Sequence, residues 1–176
     1  MLLHAISIII MDSNDSPPAP VNLPATGVFR EVSHRALQLL SAAGRFESLA
    51  HGAYLVTQGE PHHSMSVVIS GSMKVYVRAH ADTIQVATIQ PGDTVGEMNV
   101  LDPLTKASAD VVISGPSVVF TISQQDFDAL VQREPLIGLE LITALGRELC
   151  QRLRKASETL LRQSEETRSN FRDMDY

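Results

Sequence analysis

From Ala53 to Ser123 the chain reads as a series of short, β-branched apolar runs cut by turn signals. The runs AYLVT, SMSVVIS, MKVYVRA, TIQVATI, ADVVIS and SVVFTIS are separated by Gly59-Glu60-Pro61, Ser70-Gly71, His80-Ala81-Asp82, Pro91-Gly92 and Gly115-Pro116. Valine, isoleucine and threonine favour the pleated backbone, while glycine, proline and aspartate set the turns. Many short strands at near-regular spacing, with no helix between them, argue for an antiparallel roll or barrel. One apolar turn at Glu97 to Leu101 interrupts the series. A single helical insert in an all-β roll is where a site is sought first.

Helical patterns flank the roll. A first helix is expected from about Glu31, with Val32, Ala36, Leu39, Leu40 and Ala43 on one face. Ser123 with Asp126 resembles a capping box and opens a short helix carrying Phe127, Leu130 and Val131. Glu134-Pro135 stops it and starts a last helix, predicted from Pro135 to about Gln163, since proline suits the first helical position. There Ile142, Leu149 and Ala156 share one heptad position and Gly146, Leu153 and Leu160 the other. Leu145, Leu149, Leu153, Leu160 and Leu161 exceed one narrow stripe. We therefore weigh a homodimer through Ile142, Leu149, Leu153 and Leu160 ahead of a helix that only packs its own roll.

The expected organisation is an N-terminal arm over 1–28, a domain over 29–163 and a charged, fraying tail over 164–176. Asp12 to Pro24 is rich in Pro, Ser, Asn and Asp, as in a linker. MLLHAISIII is apolar but too short to span a bilayer, and it lacks the flanks of a secretory signal. Either the true start is Met11, the account preferred from sequence, or these residues pack on a neighbour's surface.

With 176 residues the chain is one domain plus tails, long enough to bury a core unaided. A net charge of −6 argues against sequence-independent nucleic-acid binding, and no helix-turn-helix reader is expected after the last helix. The single cysteine, Cys150, excludes an internal disulfide framework, suits a reducing cytoplasm and reads as a small buried hydrophobe. His62-His63 reads as a turn pair without the spacing of a metal site. There is no nucleophile elbow, P-loop or acid–base pair at motif spacing, so an enzyme is the least favoured class.

The candidate site is Pro91 to Ala109, PGDTVGEMNVLDPLTKASA. Gly96 allows close backbone approach, and the first amides of the turn at Glu97 have no helical partner and suit an anion. Glu97 accepts from a hydroxyl, and Lys106 meets a charge. Amides, a hydroxyl acceptor and a cation together fit a sugar phosphate. Asp110 lies four residues past Lys106, ~13 Å along a strand, too far to neutralise it directly.

At these residues the chain resembles the cyclic nucleotide-binding domain family of the catabolite activator and the protein kinase A regulatory subunit. Gly96, Glu97 and Met98 match the first half of that family's phosphate cassette, with Asn99 where a smaller residue is usual. In the second half Lys106 stands for arginine, Ala107 for Ser/Thr, Ser108 for alanine and Ala109 for threonine. The resemblance implies a mainly β fold with flanking helices. This is an antiparallel β-roll (double-stranded β-helix, or jelly-roll) with an N-terminal helix, a short cassette helix and a long C-terminal helix. It also implies a cytoplasmic, non-catalytic module that binds cAMP or cGMP and signals through its last helix to an effector protein.

The resemblance places the ribose 2′-hydroxyl on Glu97, the purine near Val75, Val86 and Ala87, and Arg152 and Leu153 over the base. Without ligand, Arg152 is expected to be a solvated helix residue. Lys106 keeps the charge but not the forked fit of arginine, and Ala107 offers its backbone N–H without a hydroxyl. One missing charge-assisted hydrogen bond, about 1.5–3 kcal/mol, weakens binding ~10- to 100-fold without abolishing it. The alternative is a degenerate domain that binds no nucleotide and serves dimerisation or docking.

Overall fold

The computed structural model describes residues 23–79, 82–102 and 104–172, with side chains described as far as 165. A 3₁₀ turn at Gly27–Phe29 leads into helix α1, His34–Ala43. Eight strands follow: β1 Arg45–Leu49, β2 Tyr54–Val56, β3 Ser64–Ser70, β4 Met73–Ala79, β5 Asp82–Ile89, β6 Thr94–Val95, β7 Asp110–Ile113 and β8 Ser117–Ser123. Helix α2, Glu97–Leu101, is inserted between β6 and β7, and α3, Gln124–Arg133, and α4, Pro135–Arg172, close the chain.

The strands form two four-stranded sheets, ordered β1-β8-β3-β6 and β2-β7-β4-β5, with every pairing antiparallel. The first sheet is covered on both faces, which explains the apolar runs Val67–Ile69 on β3 and Val118–Phe120 on β8. Along β8, Phe120 and Ile122 join Met65 and Val67 against the helices, while Val119 joins Val68, Met73, Val111 and Ile113 between the sheets. Ser66 and Thr121, both buried, satisfy each other through a 2.8 Å hydroxyl hydrogen bond. Helix α4 is anchored by Leu141 and Leu145, each fully buried beside Phe127 and Leu130. Such side chains stabilise the docked helix by about 1.5–3 kcal/mol apiece.

Several sequence expectations shift. Strand β1 was not foreseen, because Arg-Phe-Glu-Ser-Leu is half polar. It forms because Phe46 packs on Phe120, ring centroids 5.3 Å apart, and the strand pairs with β8 along its whole length. Helix α1 starts at His34 rather than near Glu31, since the Ser33 hydroxyl accepts from the Ala36 N–H and fixes the cap there. Leu23 and Val28, assigned to the arm by sequence, are buried in the core.

Helix α4 continues past Gln163 to Arg172, so the stretch from Ser164 that was expected to fray is helical backbone. Nothing in RQSEETRSNFR breaks a helix: it holds neither proline nor glycine. Leu145 turns into the core instead of joining the outer stripe, and Cys150, expected to be buried, is exposed. Docking through Leu141 and Leu145 fixes the helix rotation and carries Cys150 outward. Among the described residues, no helix is long and apolar enough to cross a membrane.

Candidate functional site

Gly96 caps α2 with φ +79°, the left-handed region that glycine enters without strain. A Cβ there would lie 2.4 Å from the Ser64 carbonyl oxygen and 2.8 Å from the His62 ring, so the space also requires glycine. His62 is in turn 3.3 Å from the Ser64 hydroxyl. Burial holds its imidazole below the ordinary histidine range; nearby His63 adds to this, and a backbone hydrogen bond at Ser64 opposes it. His62 is thus half-buried behind the cassette, a packing role that a turn pair alone does not suggest.

From this cap Glu97 is turned into the protein and is almost fully buried. Its Oε1 accepts a 2.7 Å charge-assisted hydrogen bond from Nη1 of Arg152 on α4. The Arg152 Nη2 donates to the Thr94 carbonyl and hydroxyl at 3.0 and 3.1 Å, and its Nε to Glu148 at 3.0 Å. Arg152 is therefore not the solvated residue expected without ligand. The reason is electrostatic: a buried carboxylate needs a partner, and one turn after Glu148 the helix presents one. The other oxygen of Glu97, Oε2, is buried and has no hydrogen-bond partner among the described residues.

The loop after α2 forms the opposite wall. Buried Asn99 donates from Nδ2 to the Thr105 carbonyl at 2.8 Å and so fixes the approach to Lys106. Lys106 forms an isolated bridge with Pro61, while its side chain is exposed and makes no ion pair among the described residues. Asp110 does not neutralise it, being engaged by Arg78 at 2.9 Å and by the Gln58 N–H at 2.7 Å. The Ala107 N–H is not free for a ligand as expected, because the Glu60 carbonyl takes it at 3.0 Å; Ala107 in turn accepts from Gly59 at 2.8 Å. The amides of Ser108 and Ala109, like those of Glu97 and Met98 at the start of α2, have no acceptor among the described residues. Helix α2, at five residues, is too short for its dipole to hold an anion, so the positive charge on this wall of the cavity is Lys106.

Between these walls lies a cavity of about 360 Å³, floored by Val56, Val75, Ile89 and Val111 and lined by Gly96, Glu97, Met98, Asn99, Lys106, Ala107 and Arg152. Val86, Ala87 and Leu153 do not line it. All three are exposed, Val86 and Leu153 at 55% and 68%. Edge strand β5 reaches the floor through its last residue, Ile89, and not through Val86 or Ala87, and α4 is exposed past Arg152. Sequence reading missed Thr94, Ile89 and the Ser108 and Ala109 amides; the i,i+4 spacing of Glu148 and Arg152 was a signal that could have raised the arginine. A wider hollow of about 1070 Å³ lies over the second sheet beside Tyr54, Tyr76 and Arg78, but there Arg78 and Asp110 already satisfy each other.

The cyclic nucleotide-binding domain model matches residues 46–134, from β1 to the end of α3. The chain belongs to the cyclic nucleotide-binding domain family. It is 31% identical over 69% of its length to a Pycsar effector protein of Pseudomonas aeruginosa, covering 37% of that protein. It is 28% identical over 72% of its length to a CRP-like cAMP-activated global transcriptional regulator of Mycobacterium tuberculosis, covering 57% of it. This chain thus spans between about a third and just over half of such relatives. A cyclic nucleotide-binding domain of Methylobacillus flagellatus superposes with a TM-score of 0.70 at 21% identity, over 74% of each chain, and shows the same fold.

Proposed function

We propose that this chain is a non-catalytic regulatory module that binds cAMP or cGMP in the Gly96–Ala109 cavity and transmits the event through α4. The observation that carries the reading is Glu97: a buried carboxylate with one oxygen clasped by Arg152 and the other, like the ammonium of Lys106 that meets the same cavity, unpaired among the described residues. A ribose 2′-hydroxyl satisfies the free oxygen, and the cyclic phosphate takes Lys106 and the Ser108 and Ala109 amides. Oε2 is closed to water, so the hydroxyl reaches it only with a small opening of the cassette. The relative named as cAMP-activated supports the ligand class.

Arg152 already sits on the roll, so ligand does not need to pull it inward. Hydroxyl and guanidinium instead share one carboxylate, and binding redistributes the charge that tethers α4. Such a shift requires the ligand to favour one helix position over another. The stripe of Ile142, Leu153 and Leu160, exposed, with half-buried Leu149, is where a second copy or an effector protein would sense it.

A second reading, a docking domain without nucleotide, is favoured by Ala107: its N–H is taken and it carries no hydroxyl. A thermal-shift panel separates the two. Nucleotide binding raises the melting temperature with cAMP or cGMP at concentrations up to millimolar; no shift with either leaves docking.

A further inference from the structure

The second half of the cassette is held by the chain that follows β2. Gly59 N–H donates to the Ala107 carbonyl at 2.8 Å, Ala107 N–H to the Glu60 carbonyl at 3.0 Å, and Pro61 bridges Lys106. The last pair of the β2–β7 ladder is Val56 with Val111. Between these contacts Thr57 and Gln58 stand opposite Ser108, Ala109 and Asp110, two residues against three. An unequal count of this kind is a bulge, which leaves main-chain groups unpaired and re-aims the strand that carries it. Ser108 and Ala109 both line the cavity, and neither amide has an acceptor among the described residues.

Asp110 closes the bulge. It is buried, and its Oδ1 accepts from the Gln58 N–H at 2.7 Å, in place of the main-chain acceptor that a regular ladder supplies. Asp110 lies opposite Tyr76 of β4, so Arg78, two residues on, is its diagonal neighbour on the same sheet face. Arg78 donates from Nε to Oδ2 at 2.9 Å and from Nη2 to Oδ1 at 3.1 Å, the fork that fits a carboxylate. The same Nη2 donates to the Gln58 carbonyl at 2.9 Å, and the Gln58 side chain pairs with both the N–H and the carbonyl of Arg78. Both Asp110 oxygens are engaged, and Asp110, Arg78 and Gln58 all stand outside the cavity lining.

We propose that Asp110, locked by Arg78, is a positioning residue for the anionic group of the ligand. It fixes one end of the bulge through Gln58, as the Gly59 and Glu60 main chain fixes the other through Ala107. The Ser108 and Ala109 amides are thereby presented to the cavity, with Asp110 itself touching no ligand atom. Donors set in place before binding lose less freedom when they bind. The role rests on the nucleotide function proposed for the cavity, and it assigns the phosphate to main-chain donors beside Lys106.

Calorimetry on the full chain with cAMP or cGMP and their 2′-deoxy analogues tests it in Asp110→Ala, Asp110→Asn and Arg78→Lys. Asparagine keeps an acceptor for the Gln58 N–H, and lysine keeps the charge at half-exposed Arg78 without the fork. Where Asp110→Ala fails to fold, Arg78→Lys carries the same test. The proposal requires Asp110→Ala to bind about tenfold more weakly, or worse, Arg78→Lys to be weakened too, and Asp110→Asn to recover most of the loss. The ratio of affinities for ribose and deoxyribose forms must keep its wild-type value, because Glu97 is untouched. The Ser108 and Ala109 amide resonances must also move when the wild type binds. Affinity within about twofold of wild type in Asp110→Ala and Arg78→Lys, or stationary amides, overturns the positioning role and leaves nucleotide binding intact. So does a collapsed ribose ratio, which marks general damage to the cavity. If the wild type binds neither nucleotide, the function proposed for the cavity fails first and the positioning role with it.

Discussion

Removing the Arg152 side chain should cost more stability than its place on the outer part of a long helix suggests. Arg152→Ala deletes hydrogen bonds to Glu97, Glu148 and both oxygens of Thr94. It leaves Glu97, its side chain 5% exposed, as a buried carboxylate with neither oxygen paired. Breaking a fully buried pair from one side costs about 3–5 kcal/mol. The Arg152 side chain is 37% exposed, so solvent screening brings the expected loss to roughly 2 kcal/mol.

For a chain of this size that lowers the melting temperature by ~4–8 °C. Urea unfolding of wild type, Arg152→Ala, Glu97→Gln and the double variant gives the coupling directly. The double variant should be more stable than the sum of the single losses implies, by about 1–2 kcal/mol, because it no longer buries an orphan charge. A loss below ~0.5 kcal/mol for Arg152→Ala, or strict additivity, would refute the clasp.

Three further outcomes follow from the same geometry. Gly96→Ala forces a Cβ against the Ser64 carbonyl and a side chain into positive φ, so it should destabilise the fold by roughly 1–3 kcal/mol in urea unfolding. Lys106→Ala should leave the melting temperature within about a degree, as its side chain is exposed and unpaired, yet weaken nucleotide binding in calorimetry. Lys106→Arg should strengthen binding about tenfold by restoring two parallel donors. The third concerns pH. Because the folded pKa of His62 is depressed, the stability it supports is present above the unfolded value near 6.5 and is lost as pH falls from there toward the folded value. His62→Gln should therefore show a flatter loss of melting temperature between pH 7.5 and 5.5 than wild type.

The strand runs, the turns between them and the cassette were legible because each rests on local chemistry: β-branched alternation, glycine at turns, a glycine–acid pair ahead of a lone cation. What escaped depends on contacts far apart in sequence. β1 has too few apolar residues to announce itself and forms only against β8. The Arg152–Glu97 clasp joins residues 55 apart, and no local pattern says that a helical arginine will find a buried acid. The outward turn of Cys150 and the inward turn of Leu145 follow from how α4 is rotated by its contacts with α3 and the core, which a heptad count leaves open.

The pairing of a ligand hydroxyl with the empty oxygen of Glu97 is tested most directly by calorimetry with cAMP or cGMP and their 2′-deoxy analogues, on wild type and Glu97→Gln. A charge-assisted hydrogen bond of about 1.5–3 kcal/mol predicts that wild type binds the deoxy analogue ~10- to 100-fold more weakly and that Glu97→Gln narrows this gap. Equal affinity of wild type for the ribose and deoxyribose forms would contradict the account.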